Sequence, residues 1–386
     1  MSNHNKHRLP IRGAGFIVLI AFIYSLATTL IIPVMPIYIK RFFSSPAYVG
    51  YFLAFTYLLI LIYILSTIYF LKYFNKWLLL KISALGFSIT LFLLTLVNTL
   101  TQLVIVEIFR SLFIAVSFVI VGLLIRDEST KKTINRNEGL YFSIINSSFF
   151  IGPIIGGLLA NAYSLNQVFR IAALFPLIVF LFLIGKRDTE NKKPEDVNLI
   201  KSIILFFQNR QRTINYLITL GLLSWLTIIY IYTPLYMAQE GLNEKIIGYF
   251  LALTVLPLII LEVPATRLTQ KYGYRKLFFL GFLLIALFGA LTFFIDNIYI
   301  KLLLLILTNV GVAFIEPLKE AYFFETSNRK EETRYYPIFK TAIDVGYLTG
   351  PIIFSTILLF TNFKSMFLIA SLIMIVFGII SLSIKK

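Results

Sequence analysis

A small set of charged side chains lies inside long apolar stretches of this chain. The residues in this setting are Glu107, Arg110, Glu262, Glu316, Lys319, Glu320, Lys340 and Asp344. An ionised group at membrane depth costs on the order of a few kcal/mol, so such residues usually face a partner or a water-filled cavity. Their carboxyl groups could take up and release protons, because burial disfavours the charged form.

Two pairs of these charges sit at helical spacing. Glu107 and Arg110 are three residues apart, and Lys340 and Asp344 are four apart, so each pair could neutralise itself on one helix face. One interpretation is that both pairs are silent. The other is that Asp344 takes up a proton during a working cycle.

If Asp344 does not carry the proton, Glu316 or Glu107 is the next candidate, and Arg110 would then hold a carboxylate or a substrate anion. Glu262 lies near the end of its apolar stretch and is assigned to gating or to an interface.

The composition identifies a lipid bilayer as the solvent. Of 386 residues, 59% are hydrophobic and 14% are charged, whereas soluble domains carry about 25% charged residues. Apolar runs of about 20 residues, enough to cross a bilayer, recur along the chain.

The residues of the common enzyme centres are missing from these runs. The chain has no Cys, and both histidines, His4 and His7, precede the first run. No HExxH or GxxxxGK[ST] motif occurs. We therefore expect no metal, no cofactor and no enzymatic activity.

Apolar length and turn residues predict twelve membrane helices, at roughly 13–35, 46–71, 78–97, 101–125, 138–160, 166–185, 212–236, 245–268, 276–295, 299–323, 335–360 and 364–384. The first is interpreted as a retained span rather than a signal peptide. The polar stretch 186–211 is predicted to be a cytoplasmic linker, with room for a short amphipathic helix, between halves 1–185 and 212–386.

Basic residues indicate the orientation of these spans. The net charge is +17, and most Lys and Arg fall at the termini and in the loops on the same side. The positive-inside rule then places both termini in the cytoplasm of a plasma-membrane protein. Lys40 and Arg41 are exceptions. Because the basic excess follows topology, no nucleic-acid partner is expected.

One sequence offset aligns the two halves. GYFLAFT at Gly50–Thr56 matches GYFLALT at Gly248–Thr254, and the same offset aligns Gly152-Pro153 with Gly350-Pro351. Halves with an even number of spans share one orientation, so a two-fold axis along the membrane normal should relate them.

The fifth predicted span carries a pattern of small residues and proline. It comprises Gly139, Ser148, Gly152, Pro153, Gly156 and Gly157. This resembles the antiporter signature of the major facilitator superfamily, with Ser148 in place of one glycine. Such residues allow close helix approach and bending, although generic helix packing would use them too.

A cytoplasmic loop motif of the same family resembles residues 266–276. Lys271, Gly273 and Arg275 match it, whereas Gln270 replaces its acidic residue, which puts the charge latch of that motif in doubt. Arg110 resembles the embedded arginine of the fourth helix in the family.

The resemblance implies an all-α membrane protein with the fold of the superfamily, in which twelve helices form two six-helix bundles. It implies a secondary transporter of a small molecule, in the manner of drug or sugar exporters, with proton antiport, acting as a monomer. On helices that line the family's cavity, the candidate substrate contacts are Tyr24, Thr28, Trp225 and Tyr230. A receptor or accessory protein with this fold is the alternative, followed by an intramembrane enzyme.

Overall fold

The computed structural model describes residues 13–127, 129, 134–186, 199–327 and 329–385. Within these ranges the chain is helical and contains no strand. The α-helices are α1 Ala14–Ile31, α2 Met35–Lys40, α3 Pro46–Tyr73, α4 Lys76–Leu94, α5 Leu100–Asp127, α6 Ile134–Ala162, α7 Leu165–Leu183, α8 Leu199–Gln208, α9 Arg210–Thr227, α10 Thr233–Gln239, α11 Glu244–Phe294, α12 Ile298–Ala313, α13 Glu316–Glu325, α14 Arg329–Phe360 and α15 Phe363–Ser381. Residues 187–198 of the linker, and the tail with His4 and His7, lie outside the described residues.

Eleven helical stretches of the described chain are long and apolar enough to cross a membrane. One of them, α11, has 51 residues, about 75 Å of helix against a hydrocarbon core of about 30 Å. It is divided at Gly273, whose φ of 73° and ψ of 160° are not helical. Counted as two crossings, α11 brings the spans in the described residues to twelve.

The connection at Gly273 differs from the sequence prediction. Separate helices at 245–268 and 276–295 were expected, but the residues between them are helical apart from Gly273 itself. A positive φ is accessible to glycine without a Cβ clash, so one residue can reverse the chain where a loop was expected.

Several spans are interrupted. One break lies at Pro317, because α12 ends at Ala313 and α13 begins at Glu316 with the proline in its first turn. At Pro264 the backbone stays helical. Between α9 and α10, residues Ile228–Tyr232 form a π-helical turn.

Asparagine side chains fix where many helices begin. Asn75, Asn209, Asn243, Asn297 and Asn362 each accept a hydrogen bond from a backbone N–H in the first turn that follows. These N–H groups have no partner within the helix, so a cap satisfies them without a long loop.

Small residues allow α6 and α14 to pack closely on the first helix of each half. A Cβ on Gly152 would come within 2.1 Å of Thr29 Oγ1 of α1, and one on Gly350 within 2.7 Å of Thr227 Oγ1 of α9. Gly156 approaches the carbonyl of Leu30. The predicted packing residues therefore lie at equivalent contacts in the two halves.

The other members of the pattern lie along the same two helices. Pro153 and Pro351 are inside α6 and α14. Ser148 is fully buried, with its hydroxyl bonded to the carbonyl of Ile144 at 3.2 Å. Gly139 lies within α6.

The two groups of spans meet at the membrane side opposite the termini, which we call the sealed end. Gly157, near the end of α6, packs against Gly248, near the start of α11. Gly50, near the start of α3, packs against Tyr232 and Ser355. The aligned GYFLAFT and GYFLALT segments thus begin at equivalent contacts.

Hydrogen bonds reinforce the sealed end. The Ser355 hydroxyl donates to the carbonyl of Ala47 at 2.7 Å, and the Tyr51 and Thr356 hydroxyl oxygens lie 2.8 Å apart. All these residues lie within about three turns of the helix ends at this side.

We predict that Gly157→Ala opens the sealed end. The new Cβ would lie 2.4 Å from the carbonyl oxygen of Glu244 and 2.9 Å from Gly248 Cα, backbone atoms that cannot rotate away. Overpacking of this kind costs about 1–3 kcal/mol. The measurement is the rate at which a short bis-maleimide joins cysteines placed at Tyr51 and Thr356, which should fall. Gly122→Ala, where nothing lies within 4 Å, is the control and should leave the rate unchanged. Equal rates in both variants would contradict the packing described for Gly157.

Candidate functional site

A buried ion pair lies in the first half. Arg110 donates from Nε and Nη2 to the two carboxylate oxygens of Glu107, each at 2.7 Å, and both residues are buried on α5. This two-point geometry satisfies the planar guanidinium and the carboxylate together. The pairing predicted from their spacing is confirmed, and it engages both Glu107 oxygens.

The second half contains an ion pair between two helices. The spacing on α14 allowed Lys340 to pair with Asp344 on its own helix. Its described ion pair is instead with Glu320 of α13, at 2.6 Å, and the Tyr336 hydroxyl donates to the same carboxylate at 3.1 Å. Lys319, almost fully buried, pairs with Glu316 on α13. The change has a geometric cause, because α13 and α14 are neighbouring spans and a long lysine side chain can reach across.

Two of the embedded carboxylates remain without an ion pair among the described residues, Glu262 of α11 and Asp344 of α14. Both are half-buried. Glu262 lies within electrostatic range of Glu316, Lys319 and Glu320. These four residues therefore form one charged cluster. Asp344 lies one turn beyond Lys340 on α14. The embedded carboxylates of the second half therefore outnumber its embedded lysines.

Aromatic side chains bridge the two halves near mid-span. Tyr57 of α3 stacks on Tyr347 of α14, with ring centroids 5.1 Å apart and planes within 17°. Phe149 of α6 meets Tyr230, in the π-helical turn, at 6.2 Å. Tyr347 is one turn from Asp344, which places that carboxylate beside the contact between halves.

A cavity of about 270 Å³ lies inside the first half. It is bounded by α1, α4, α5 and α6, and its walls are mostly aromatic and aliphatic. Tyr24, Ser25, Thr28 and Ser117 supply hydroxyl groups, and the Ser117 hydroxyl donates to the Tyr24 oxygen at 3.0 Å. The ring of Tyr24 is held by Phe87, parallel to it at 5.9 Å.

The predicted substrate contacts lie in three different places in the structure. Tyr24 and Thr28 line the cavity. Tyr230 lies at the contact between halves. Trp225 is fully buried in the second half, where its indole N–H donates to Thr308 at 3.3 Å. An indole enclosed in this way packs α9 against α12 and does not reach the cavity.

The loop motif is exposed at the side of the termini. Gln270, Lys271 and Arg275 make no ion pair with another described residue, and the Lys271 ammonium lies over the ring of Tyr272 at 5.2 Å. Gly273 has a positive φ of 73°. The motif therefore serves as a turn here, without a charge latch among the described residues.

Among the described residues, the sequence prediction missed two buried charges, Arg212 at the start of α9 and Lys301. Lys301, in the first turn of α12, is only 7% exposed, and its ammonium donates to the Tyr236 hydroxyl at 3.1 Å. Its apolar neighbours could have indicated burial, but a lysine in a first turn resembles an ordinary end-of-span charge.

The family profile described as Major Facilitator Superfamily matches residues 17–261 and 223–385. The chain is 24% identical over 372 residues to an uncharacterised MFS-type transporter of Methanocaldococcus jannaschii, covering 93% of this chain and 95% of that protein. It is 30% identical over 177 residues to multidrug resistance protein 1 of Bacillus subtilis, covering 45% of each. A solved peptide transporter of the POT type superposes with a TM-score of 0.78 at 12% identity, over 96% of this chain and 93% of that one.

We predict that Glu107→Gln strongly destabilises the protein. It leaves Arg110 buried without its counter-charge, a loss of about 3–5 kcal/mol in the free energy of unfolding. The double variant Glu107→Gln with Arg110→Gln should recover much of this loss. Thermal unfolding in detergent measures both.

Lys76→Gln is the matched control for that experiment. It breaks the more exposed Lys76–Asp127 pair and should cost less than about 1 kcal/mol. If Glu107→Gln were as mild as this control, the Arg110 pair would not matter to stability.

Proposed function

This chain belongs to the Major Facilitator Superfamily and is a multi-pass membrane transporter rather than an enzyme, and we propose that it exports a small molecule in exchange for protons. The observation that carries the proton part is Asp344, a half-buried carboxylate beside the contact between halves with no ion pair among the described residues. Export is supported by partial matches to relatives named for drug resistance.

The organisation of the transporter follows from the repeat. We propose that residues 1–185 and 212–386 form two bundles that rock against each other, joined by the linker 186–211. Equivalent glycine contacts at Gly152 and Gly350 support this division. The basic excess at the side of the termini supports cytoplasmic termini and a plasma-membrane location.

The role of Asp344 follows from the state of the other embedded carboxylates. Glu107, Glu316 and Glu320 each form an ion pair with a cation. Asp344 forms no ion pair with any described residue, and burial of an unpaired carboxylate disfavours its charged form. A proton on Asp344 in one conformation and its release in the other would couple the gradient to the movement of α14.

The cavity in the first half supports a small, largely apolar cargo. Its walls are aromatic and aliphatic. The residues that bring hydroxyl groups to its lining are Tyr24, Ser25, Thr28, Ser117 and Tyr141. Arg110 is engaged by Glu107 at both of the nitrogens that face it, so it offers little to an anion. Neutral or cationic compounds fit this arrangement better than anions do.

An accessory or receptor role remains the second candidate. The loop motif favours it, because the motif is exposed and forms no charge latch with the described residues, whereas in the family that latch accompanies the conformational cycle. Flux through the purified chain in liposomes separates the two functions.

We predict that Asp344→Asn abolishes proton movement. Purified protein is reconstituted in liposomes that contain the pH dye pyranine, and a panel of neutral and cationic aromatic compounds is added outside. With the natural chain, at least one compound should change the internal pH. Asp344→Asn should remove this response while substrate exchange without a gradient continues, since an amide cannot carry the proton.

Asp296→Asn, at an exposed loop carboxylate paired with Lys364, is the control and should behave as the natural chain. A full proton response in Asp344→Asn would refute the coupling role of this residue. Absence of any flux with the natural chain across the panel would favour the accessory role.

A further inference from the structure

Helix α8 in the linker presents three different faces. At about 100° per residue, Ser202 and Phe206 lie on the side opposite Ile204. Ser202 and Phe206 are almost fully buried, whereas Ile203, Ile204 and Phe207 are 38%, 55% and 41% exposed. We call these last three residues the apolar sector.

The buried face of α8 is anchored to the second half. The ring of Phe206 makes edge contacts with Tyr216 of α9 at 6.1 Å and with Tyr335 of α14 at 6.0 Å. Arg334 donates from Nε to the Ser202 hydroxyl at 2.9 Å. The helix therefore has a fixed rotation, and the apolar sector points away from the protein.

The polar side chains of α8 occupy the remaining direction. Lys201 and Gln208 lie together on one flank of Ile204, and Ile203 and Phe207 lie on the other. Both polar residues are exposed. Helix α8 thus has protein on one side, an apolar face on the second and a narrow polar stripe on the third. This arrangement is typical of a helix that lies in the plane of the membrane surface.

A basic depression of about 500 Å³ adjoins the polar stripe. It is lined by Gln208, Asn209, Arg210, Gln211, Ser383 and Lys385. Arg210 and Lys385 are exposed, and neither has an ion-pair partner among the described residues. The sequence contains no Asp or Glu from Val197 to Gln239, so no carboxylate of this segment opposes the two cations.

The floor of the basic depression is fixed by hydrogen bonds. The Gln211 side-chain oxygen accepts from the Tyr322 hydroxyl at 2.8 Å and from the backbone N–H of Lys385 at 2.9 Å. These bonds hold the residues that follow α15 against the start of α9, where Arg210 and Lys385 both line the depression.

From this juxtaposition we infer that α8 and the basic depression form a binding site for an anionic phospholipid. The phosphate headgroup lies between Arg210 and Lys385, and an acyl chain runs along the apolar sector. This site is independent of the transport cycle proposed above. A lipid bound here would stabilise the docking of α8 on α9 and α14.

Cysteine labelling tests the orientation of α8, because the chain has no natural Cys. An environment-sensitive label is attached to Ile204→Cys or to Lys201→Cys in lipid nanodiscs. Nitroxide-labelled lipid should quench the label at position 204, and aqueous iodide should quench the label at 201. If iodide quenches both labels equally, α8 does not lie in the membrane surface and the inference is wrong.

Native mass spectrometry tests the headgroup site. The protein is extracted from vesicles with equal amounts of phosphatidylglycerol and phosphatidylcholine, and bound lipid is counted. The natural chain should retain phosphatidylglycerol. The double variant Arg210→Gln with Lys385→Gln should bind it about thirty-fold more weakly, given about 1 kcal/mol for each basic residue near a lipid surface.

Lys245→Gln, at an exposed lysine on the opposite membrane side, is the control and should retain the lipid fully. Inorganic phosphate in excess should not displace the lipid from the natural chain, because it cannot contact the apolar sector. Displacement by phosphate would indicate a site for free anions. Equal retention of phosphatidylglycerol by the double variant would show that Arg210 and Lys385 do not bind the headgroup. Either result overturns the inference.

Discussion

The free-energy cost of an unpaired charge in a bilayer determines how the embedded charged side chains of this protein are paired. Within the described spans, Glu107 holds Arg110, Glu316 holds Lys319, and Glu320 holds Lys340. Lys301, with no carboxylate partner, donates to a tyrosine hydroxyl. Once these cations are paired, Asp344 and Glu262 are the embedded carboxylates without an ion pair among the described residues, and both belong to the second half.

The contacts between the halves obey a different constraint, which is the close approach of backbones. Gly157 meets Gly248, and Gly50 meets the side chains of Tyr232 and Ser355. Without a hydrophobic driving force in lipid, helices associate through packing and hydrogen bonds, and small residues give both. Such contacts can open and close at a small cost in free energy, because few charges are exposed to lipid when the two halves separate.

Most of the architecture could be predicted from the sequence, because a span is a local property of about 20 apolar residues. The pair of Glu107 and Arg110 was also predictable, since both lie on one helix. The partner of Lys340 was not, because Glu320 belongs to another span and helical spacing contains no information about neighbours. The enclosure of Trp225 depended on tertiary packing in the same way. The turn at Gly273 is local, because a single glycine with a positive φ replaces the loop that was expected.

Alternating access at the sealed end is the central claim, and a distance across that end tests it most directly. Spin labels at Tyr48 and Phe360, both exposed near the sealed end, would be measured by double electron–electron resonance in liposomes at acidic and at neutral pH. The account predicts a short distance and a second, longer one, with populations that change with pH and stop changing in Asp344→Asn. A single distance under all conditions would contradict it.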